Sequence, residues 1–297
     1  MKTTAVVLSG YGAPDVLRLG ETEVASPAAG QIRVAVRYAG VGPTDLAIRA
    51  GHLAAVFPAG PGTVLGFEAA GVVESVGEGV TDVSAGDEVA VLLPRLGGYA
   101  GLVVADFWAP KPASVSWADA AALPASGEAA VRVLDQLAVG SGETMLLLGA
   151  AGSVGRIATQ LAAARGVHVV AAVRPADFAL VEGLGATPVD YAAIGSDQKV
   201  DAVFDASGRS DLPAAIALAG GTKRVITLSD HRARELGVLL SDIVTDGVVP
   251  ALKLVMDRLA AGELALQPQT VSPLADAAAV HARLASGELR GKALLQL

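Results

Sequence analysis

Residues 143–174, ETMLLLGAAGSVGRIATQLAAARGVHVVAAVR, constrain the fold more than any other stretch of the chain. Residues 144–148 are an apolar run of strand length, and Ala150-Ala151-Gly152-Ser153-Val154-Gly155 follows at once. Ile157, Leu161 and Ala164 then recur at helical spacing, and residues 167–173 form a second apolar run. The apolar pattern switches from strand to helix and back. That is one βαβ unit with a glycine turn at its first strand-to-helix junction.

The turn has a mechanical reading. A helix N-terminus presents free N–H groups and a partial positive charge, which suits a pyrophosphate. A side chain at Gly152 would keep that ligand off the backbone, and Gly155 lets the helix lie close on the strand. Ala150 stands at the first position of the G-x-G-x-x-G pattern, where a small residue is needed. Ala150, Ala151, Gly152, Ser153, Val154 and Gly155 are therefore the expected dinucleotide cradle. An NAD-selective site places Asp or Glu about 20 residues further on, where it binds the ribose hydroxyls. Here the residue 19 positions after Gly155 is Arg174. An arginine cannot accept those hydroxyls but pairs well with a 2′-phosphate, so the expected cofactor is NADPH rather than NADH.

With 297 residues the chain has room for two domains with real cores. A composition of 52% hydrophobic and 18% charged residues is that of a globular protein. The net charge of −8 argues against a nucleic-acid partner. The absence of cysteine removes disulfides and thiolate metal sites. Neither a leader pattern nor an 18-residue apolar run is present, so the expectation is a cytoplasmic protein without a membrane partner.

The first 121 residues read differently from the βαβ region. Short β-rich runs at 4–8, 31–39, 69–76, 88–93 and 100–104 alternate with glycine and proline turns, which predicts an antiparallel, barrel-like domain. A helix is expected to open at Trp117. Further strands are predicted at 200–205, ending in Ala206 and Ser207, at 223–228, ending in Leu228 with Ser229 at its tip, and at 237–244. A helix over 248–259 and the tail from 266 then return to the first domain. The expected partition is 1–121 with 245–297, and 122–244.

Several motifs along the chain carry a resemblance. They are Ala39-Gly40-Val41-Gly42-Pro43-Thr44-Asp45, Leu65-Gly66-Phe67-Glu68-Ala69-Ala70-Gly71, Val83-Ser84-Ala85-Gly86-Asp87-Glu88-Val89, Ala120-Ala121-Ala122-Leu123-Pro124, the glycine turn, Leu184-Gly185-Ala186, and Gly287-Glu288-Leu289-Arg290-Gly291-Lys292. Together they resemble the medium-chain dehydrogenase/reductase superfamily. The resemblance implies an α/β fold: a Rossmann-type doubly wound parallel sheet plus a GroES-like, β-barrel-like catalytic domain. It also implies cofactor contacts from Tyr191, Ala206, Ser207, Leu228, Ser229 and Lys292, and a homodimer paired through the strand at 237–244. Zinc-dependent members supply Cys, His and usually Cys where this chain has Gly42, Phe67 and Ala125, which offer no metal donor. The chain is thus similar to the zinc-free, quinone oxidoreductase-like (zeta-crystallin-like) branch. Asp45 and Glu68 are expected to serve as hydrogen-bond acceptors.

Without a metal, the expected chemistry is hydride transfer to an acceptor that spreads charge by conjugation, a quinone or an activated C=C of an enone or enoyl compound. The alternatives are an enoyl reductase acting on a carrier- or CoA-bound thioester, and, in a different class, an NADPH-binding sensor or a degenerate relative that uses the cleft for non-redox chemistry. Thr44 stands where zinc members keep a proton relay, but it could equally cap a helix over 46–50. His52, at that helix's end, and Tyr11, in a glycine loop, are the other catalytic candidates. Two departures from quinone-reductase relatives bear on the substrate: Gly42 replaces Asn, and Ala129 replaces Thr beside Glu128.

Overall fold

The structure is a computed structural model that describes residues 1–194, 199–208 and 211–297. The chain opens with a hairpin of β1 (Lys2–Leu8) and β2 (Leu17–Glu23). It continues through β3 (Ile32–Val41), α1 (Pro43–Arg49), β4 (Glu68–Val76), β5 (Glu88–Leu92), β6 (Leu102–Ala105) and β7 (Phe107–Pro110). Helices α2 (Trp117–Ala122) and α3 (Pro124–Leu137) lead into β8 (Thr144–Leu148), α4 (Ser153–Ala164), β9 (His168–Val173), α5 (Phe178–Gly183) and β10 (Thr187–Asp190). Then come β11 (Ala202–Asp205), α6 (Leu212–Leu218), β12 (Val225–Thr227), α7 (Ala233–Leu236) and β13 (Leu239–Leu240). The chain closes with α8 (Thr245–Ala260), β14 (Gln269–Pro273), α9 (Ala277–Ala285) and β15 (Lys292–Gln296).

Two compact units result. One holds Met1–Ala125, Leu252–Ala261 and Pro268–Leu297, and the other holds Ser126–Ala251 and Gly262–Gln267. The boundaries differ from the expected partition: 122–125 fall in the first unit, and 245–251 and 262–267 fall in the second. Residues 262–267 belong to the second unit because hydrogen bonds tie them to α4. Gln160 Oε1 accepts from the Ala265 N–H at 2.7 Å, and Ser153 Oγ donates to Gln267 Oε1 at 2.6 Å.

In the second unit the strands run β10-β9-β8-β11-β12-β13, all parallel. Numbered within the sheet this is the order 3-2-1-4-5-6, the doubly wound Rossmann arrangement. Its central strands are continuous apolar runs because helices cover both faces. Met145 to Leu148 are all buried, as are Ala202 to Asp205. The order reverses between β8 and β11, so the carboxyl ends of those strands diverge there and leave room for a ligand.

In the first unit the path is β14-β15-β3-β4-β5-β7, with β6 also on β3. The C-terminal β15 inserts antiparallel to β3, pairing Leu294 with Gly40, so the tail completes this sheet. Ile32, Val34, Val89, Val91, Tyr99 and Leu295 anchor its core.

Three sequence expectations are corrected. The strand expected over 237–244 is only Leu239–Leu240, paired in parallel to β12. Gly237, at φ +68, instead ends α7 in the left-handed conformation. Helix α1 starts at Pro43, and Thr44 does not cap it; Gly42 is the N-cap. Strands β2 and β7 were not anticipated from the sequence. The first is mostly solvent-facing, with a single buried residue, and the second ends on Pro110.

Candidate functional site

A cleft of about 720 Å³ opens at the switch point of the parallel sheet. Its lining includes Gly149, Ala151 and Gly152 after β8, Arg174 after β9, and Ala206 and Ser207 after β11. The cradle is built by backbone. Gly149 turns the chain at φ +85, and a Cβ there would press on Ser207 at 3.1 Å. Gly152 is the N-cap of α4, and its N–H donates to the Gly149 carbonyl at 3.0 Å. At Gly155 a Cβ would lie 2.6 Å from Ala150 Cα and overlap the Gly149 carbonyl oxygen. The twelve-residue α4 therefore starts flush against the end of β8. Its first-turn N–H groups have no intrahelical acceptor and are available to an anion. The sequence reading took Ala150 as the first small position. Ala150 is fully buried, and Gly149 makes the turn; its signal was a glycine directly behind an apolar strand.

Arg174 stands at the end of β9, exposed, and donates from Nε and Nη2 to Asp177 Oδ2 at 3.1 and 2.9 Å. The Gly149 N–H donates to the Tyr191 hydroxyl at 3.1 Å, which brings that ring to the turn. Burial pushes the Tyr191 phenol up, so it stays protonated at neutral pH. Ser207 donates from N and Oγ to Asp205 Oδ1, and Thr227 Oγ1 donates to Asp205 Oδ2 at 2.9 Å. Asp205 is fully buried and organises the tips of β11 and β12; the sequence reading missed it because a strand-end carboxylate has no distinctive spacing. Leu228 follows β12, its N–H on the Asp205 carbonyl. Ser229 packs against Gly208, which takes φ +62.

The first unit holds a second polar cluster, fully enclosed. Asp45 accepts from the Gly42 N–H at 2.8 Å and the Gly66 N–H at 3.0 Å. Glu68 accepts from the Ala125 N–H at 2.8 Å, and its other oxygen pairs with Lys292. Lys292 is therefore committed to Glu68 and is buried beside it. Burial pushes Asp45 from 3.8 up to about 6, against the pull of its backbone donors and Lys292. The Tyr99 hydroxyl lies 3.2 Å from His281 Nε2, and burial lowers His281 from 6.5 to about 3. Zinc needs N or S donors at set geometry. Gly42, Phe67 and Ala125 provide none, and the two carboxylates are already saturated by N–H groups and an ammonium. The residues present do not fit a metal.

The three catalytic candidates share this unit. Tyr11 lays its ring over Gly51, 3.2 Å from where a Cβ would stand, and its hydroxyl accepts from the Ala59 N–H at 2.7 Å. His52 is exposed, next in sequence to the Gly51 that the Tyr11 ring covers. Thr44 is exposed in the first turn of α1, at the opposite end of that helix from His52. In the second unit Glu128 is buried and paired with Arg132 at 2.7 Å. Arg49 is likewise engaged by the Gly12 carbonyl, and Arg95 by Asp106. Ala129 is buried on α3.

Comparison with known proteins agrees with this architecture. Residues 28–106 match the alcohol dehydrogenase GroES-like domain, and residues 165–295 match the family described as zinc-binding dehydrogenase. A 2-haloacrylate reductase of Burkholderia sp is 30% identical over 329 residues, covering 98% of both chains. Polyketide synthase GfsB of Streptomyces halstedii is 37% identical over 200 residues, 64% of this chain but 3% of the synthase. Three other curated relatives are spanned over only 60–62% of their length. Among solved structures, Escherichia coli quinone oxidoreductase complexed with NADPH is 25% identical, with a TM-score of 0.84 over 99% of this chain and 100% of that one. The chain belongs to the medium-chain dehydrogenase/reductase superfamily, in the zinc-free branch that includes the quinone oxidoreductases and the enoyl and alkenal reductases.

Proposed function

We propose that this chain is a zinc-independent, NADPH-dependent oxidoreductase that reduces a quinone or an activated C=C. The observation that carries the reading is Arg174 lining the same cleft as the glycine turn. The free N–H groups of α4 would hold the pyrophosphate, and Arg174 with Tyr191 would face the 2′-phosphate. Bound NADPH supplies the hydride. This chain's own residues bind and orient, and one of them delivers a proton. Tyr11 accepts a hydrogen bond from Ala59 and keeps its O–H free to donate, so it is the leading proton donor of the three candidates, ahead of Thr44 and His52. A conjugated acceptor suits this inventory because no Lewis acid is needed to stabilise the incoming charge. The 2-haloacrylate reductase, whose name denotes an activated alkene substrate, supports the C=C reading.

A carrier- or CoA-bound enoyl thioester is the second reading, favoured by the match to a polyketide synthase. NADPH oxidation followed at 340 nm against quinones, enones and an enoyl-CoA separates these acceptors. Tight NADPH binding without turnover on any of them would favour a sensor. Arg174→Ala should weaken NADPH while leaving NADH binding intact, and equal loss of both would remove the basis for NADPH. We also propose a homodimer. It is supported by the apolar pair Leu239 and Leu240, 50% and 46% exposed on β13, the last strand of its sheet among the described residues. Light scattering of the intact protein tests it.

A further inference from the structure

The cleft holds a feature that the NADPH reading leaves unused: Arg174 is not free. Two of its donors, Nε and Nη2, converge on a single carboxylate oxygen of Asp177. Asp177 lines the cleft with Arg174, and its side chain is 23% exposed against 61% for the arginine. It also acts on a second cation. Arg156, whose Nε donates to the Ala151 carbonyl at the glycine turn, feels the Asp177 charge. Asp177 thus pairs with Arg174, and Tyr191 lines the same cleft, at the end where Arg174 would meet a 2′-phosphate.

We infer that Asp177 is a specificity-determining residue that limits the preference for a 2′-phosphorylated nucleotide. The inference rests on the NADPH reading and deepens it. A phosphate dianion reaching Arg174 either displaces the carboxylate from Nε and Nη2 or shares the guanidinium with it at close range. Both routes oppose binding, the first through a lost ion pair and the second through like-charge repulsion. An unphosphorylated ribose meets neither penalty. The carboxylate is therefore an internal competitor for the phosphate, and the selectivity of the site is the difference between the two partners of one arginine.

The fold does not need this carboxylate. Asp177 is the N-cap residue of α5, yet its side chain makes no capping hydrogen bond. The local turn is held by its backbone N–H on the Arg174 carbonyl at 2.8 Å, which Asp177→Asn keeps. Titration calorimetry of the whole protein with 2′,5′-ADP and with 5′-AMP isolates the effect without turnover. Asp177→Asn should tighten 2′,5′-ADP roughly three- to tenfold, as expected for removing a partly screened competing charge, with 5′-AMP within about twofold of the wild type. If the wild type prefers 2′,5′-ADP and the ratio stays the same or falls in Asp177→Asn, the competitor role is wrong while the NADPH reading stands. If the wild type shows no preference between the two nucleotides, the NADPH reading itself fails.

Discussion

The two polar centres of this molecule use the same residue types to opposite ends. In the first unit Asp45, Glu68 and Lys292 are buried, and each carboxylate oxygen already has an N–H or ammonium partner. In the second unit Arg174, Asp177 and Tyr191 are partly exposed and line an open cleft, next to helix N–H groups without an intrahelical acceptor. A saturated cluster can hold strands together but cannot take a ligand without breaking. An unsaturated one is cheap to rearrange and therefore able to bind. Asp45 and Glu68, with the backbone N–H groups of Gly42, Gly66 and Ala125 and the Lys292 ammonium, thus form a structural staple, and the ligand-competent chemistry concentrates at the sheet's switch point.

The comparison can be broken most directly at Lys292. Lys292→Met leaves Glu68 charged, buried and short of a partner, and should destabilise the protein by about 3–5 kcal/mol in urea denaturation. Glu68→Gln combined with Lys292→Met removes both charges and should recover most of that loss. A single variant within about 1 kcal/mol of wild type would mean that the cluster is not closed. NADPH titration of the double variant also checks the cofactor contact expected of Lys292 from its motif.

At the open centre the corresponding change is Gly155→Ala. The added Cβ overlaps the Gly149 carbonyl and lies 2.6 Å from Ala150 Cα, backbone that cannot swing aside. Overpacking of this kind costs about 1–3 kcal/mol, relieved only by moving the turn that would hold the pyrophosphate, so NADPH should bind more weakly, by up to roughly 5- to 150-fold where all of that cost falls on the bound state. Gly183→Ala is the control, since a Cβ there meets nothing within 4 Å. Equal affinities for the two variants would show that the glycine turn does not shape the binding site.

What could be read in advance follows the same division. The cradle was legible because it is local: strand, glycines and helix adjoin in sequence, and backbone geometry alone demands the glycines. Arg174 was legible for the same reason, lying a fixed distance downstream. The closed cluster was not. Glu68 and Lys292 are 224 residues apart and meet because β15 inserts beside β3, and no spacing rule anticipates that. The motif around Lys292 suggested a cofactor contact, whereas the structure gives its ammonium to Glu68. The pairing of Arg174 with Asp177 lies only three residues apart, yet the sequence reading did not weigh it. Strand β13 was overread, because a run of apolar residues at a sheet edge does not reveal how few of them find a partner.

The most gradual expected effect, spread over pH, concerns proton uptake by the closed cluster. His281 is fully inaccessible, and its Nδ1 has no partner among the described residues. Burial, with Arg49 nearby, depresses it from 6.5 to about 3, so it is neutral when folded. Its contribution to stability is complete above the ordinary histidine value and is lost as pH falls from 6.5 toward 3, because the unfolded chain takes up the proton first. Asp45 has the opposite sign. Raised from 3.8 to about 6, it favours the folded state at acid pH and loses that contribution as pH rises through 6. The two slopes offset one another between pH 6 and 4, so the wild type alone would hide both. His281→Phe removes only the first. The stability difference between wild type and His281→Phe should shift by about 1.4 kcal/mol per pH unit below 6.5 in urea melts, with the variant gaining relative to wild type. It should be level above pH 7.5, where histidine is neutral in both states. A difference that stays level down to pH 4.5 would mean that His281 takes up its proton in the fold as readily as in water, and that the cluster is as open to solvent as the cleft.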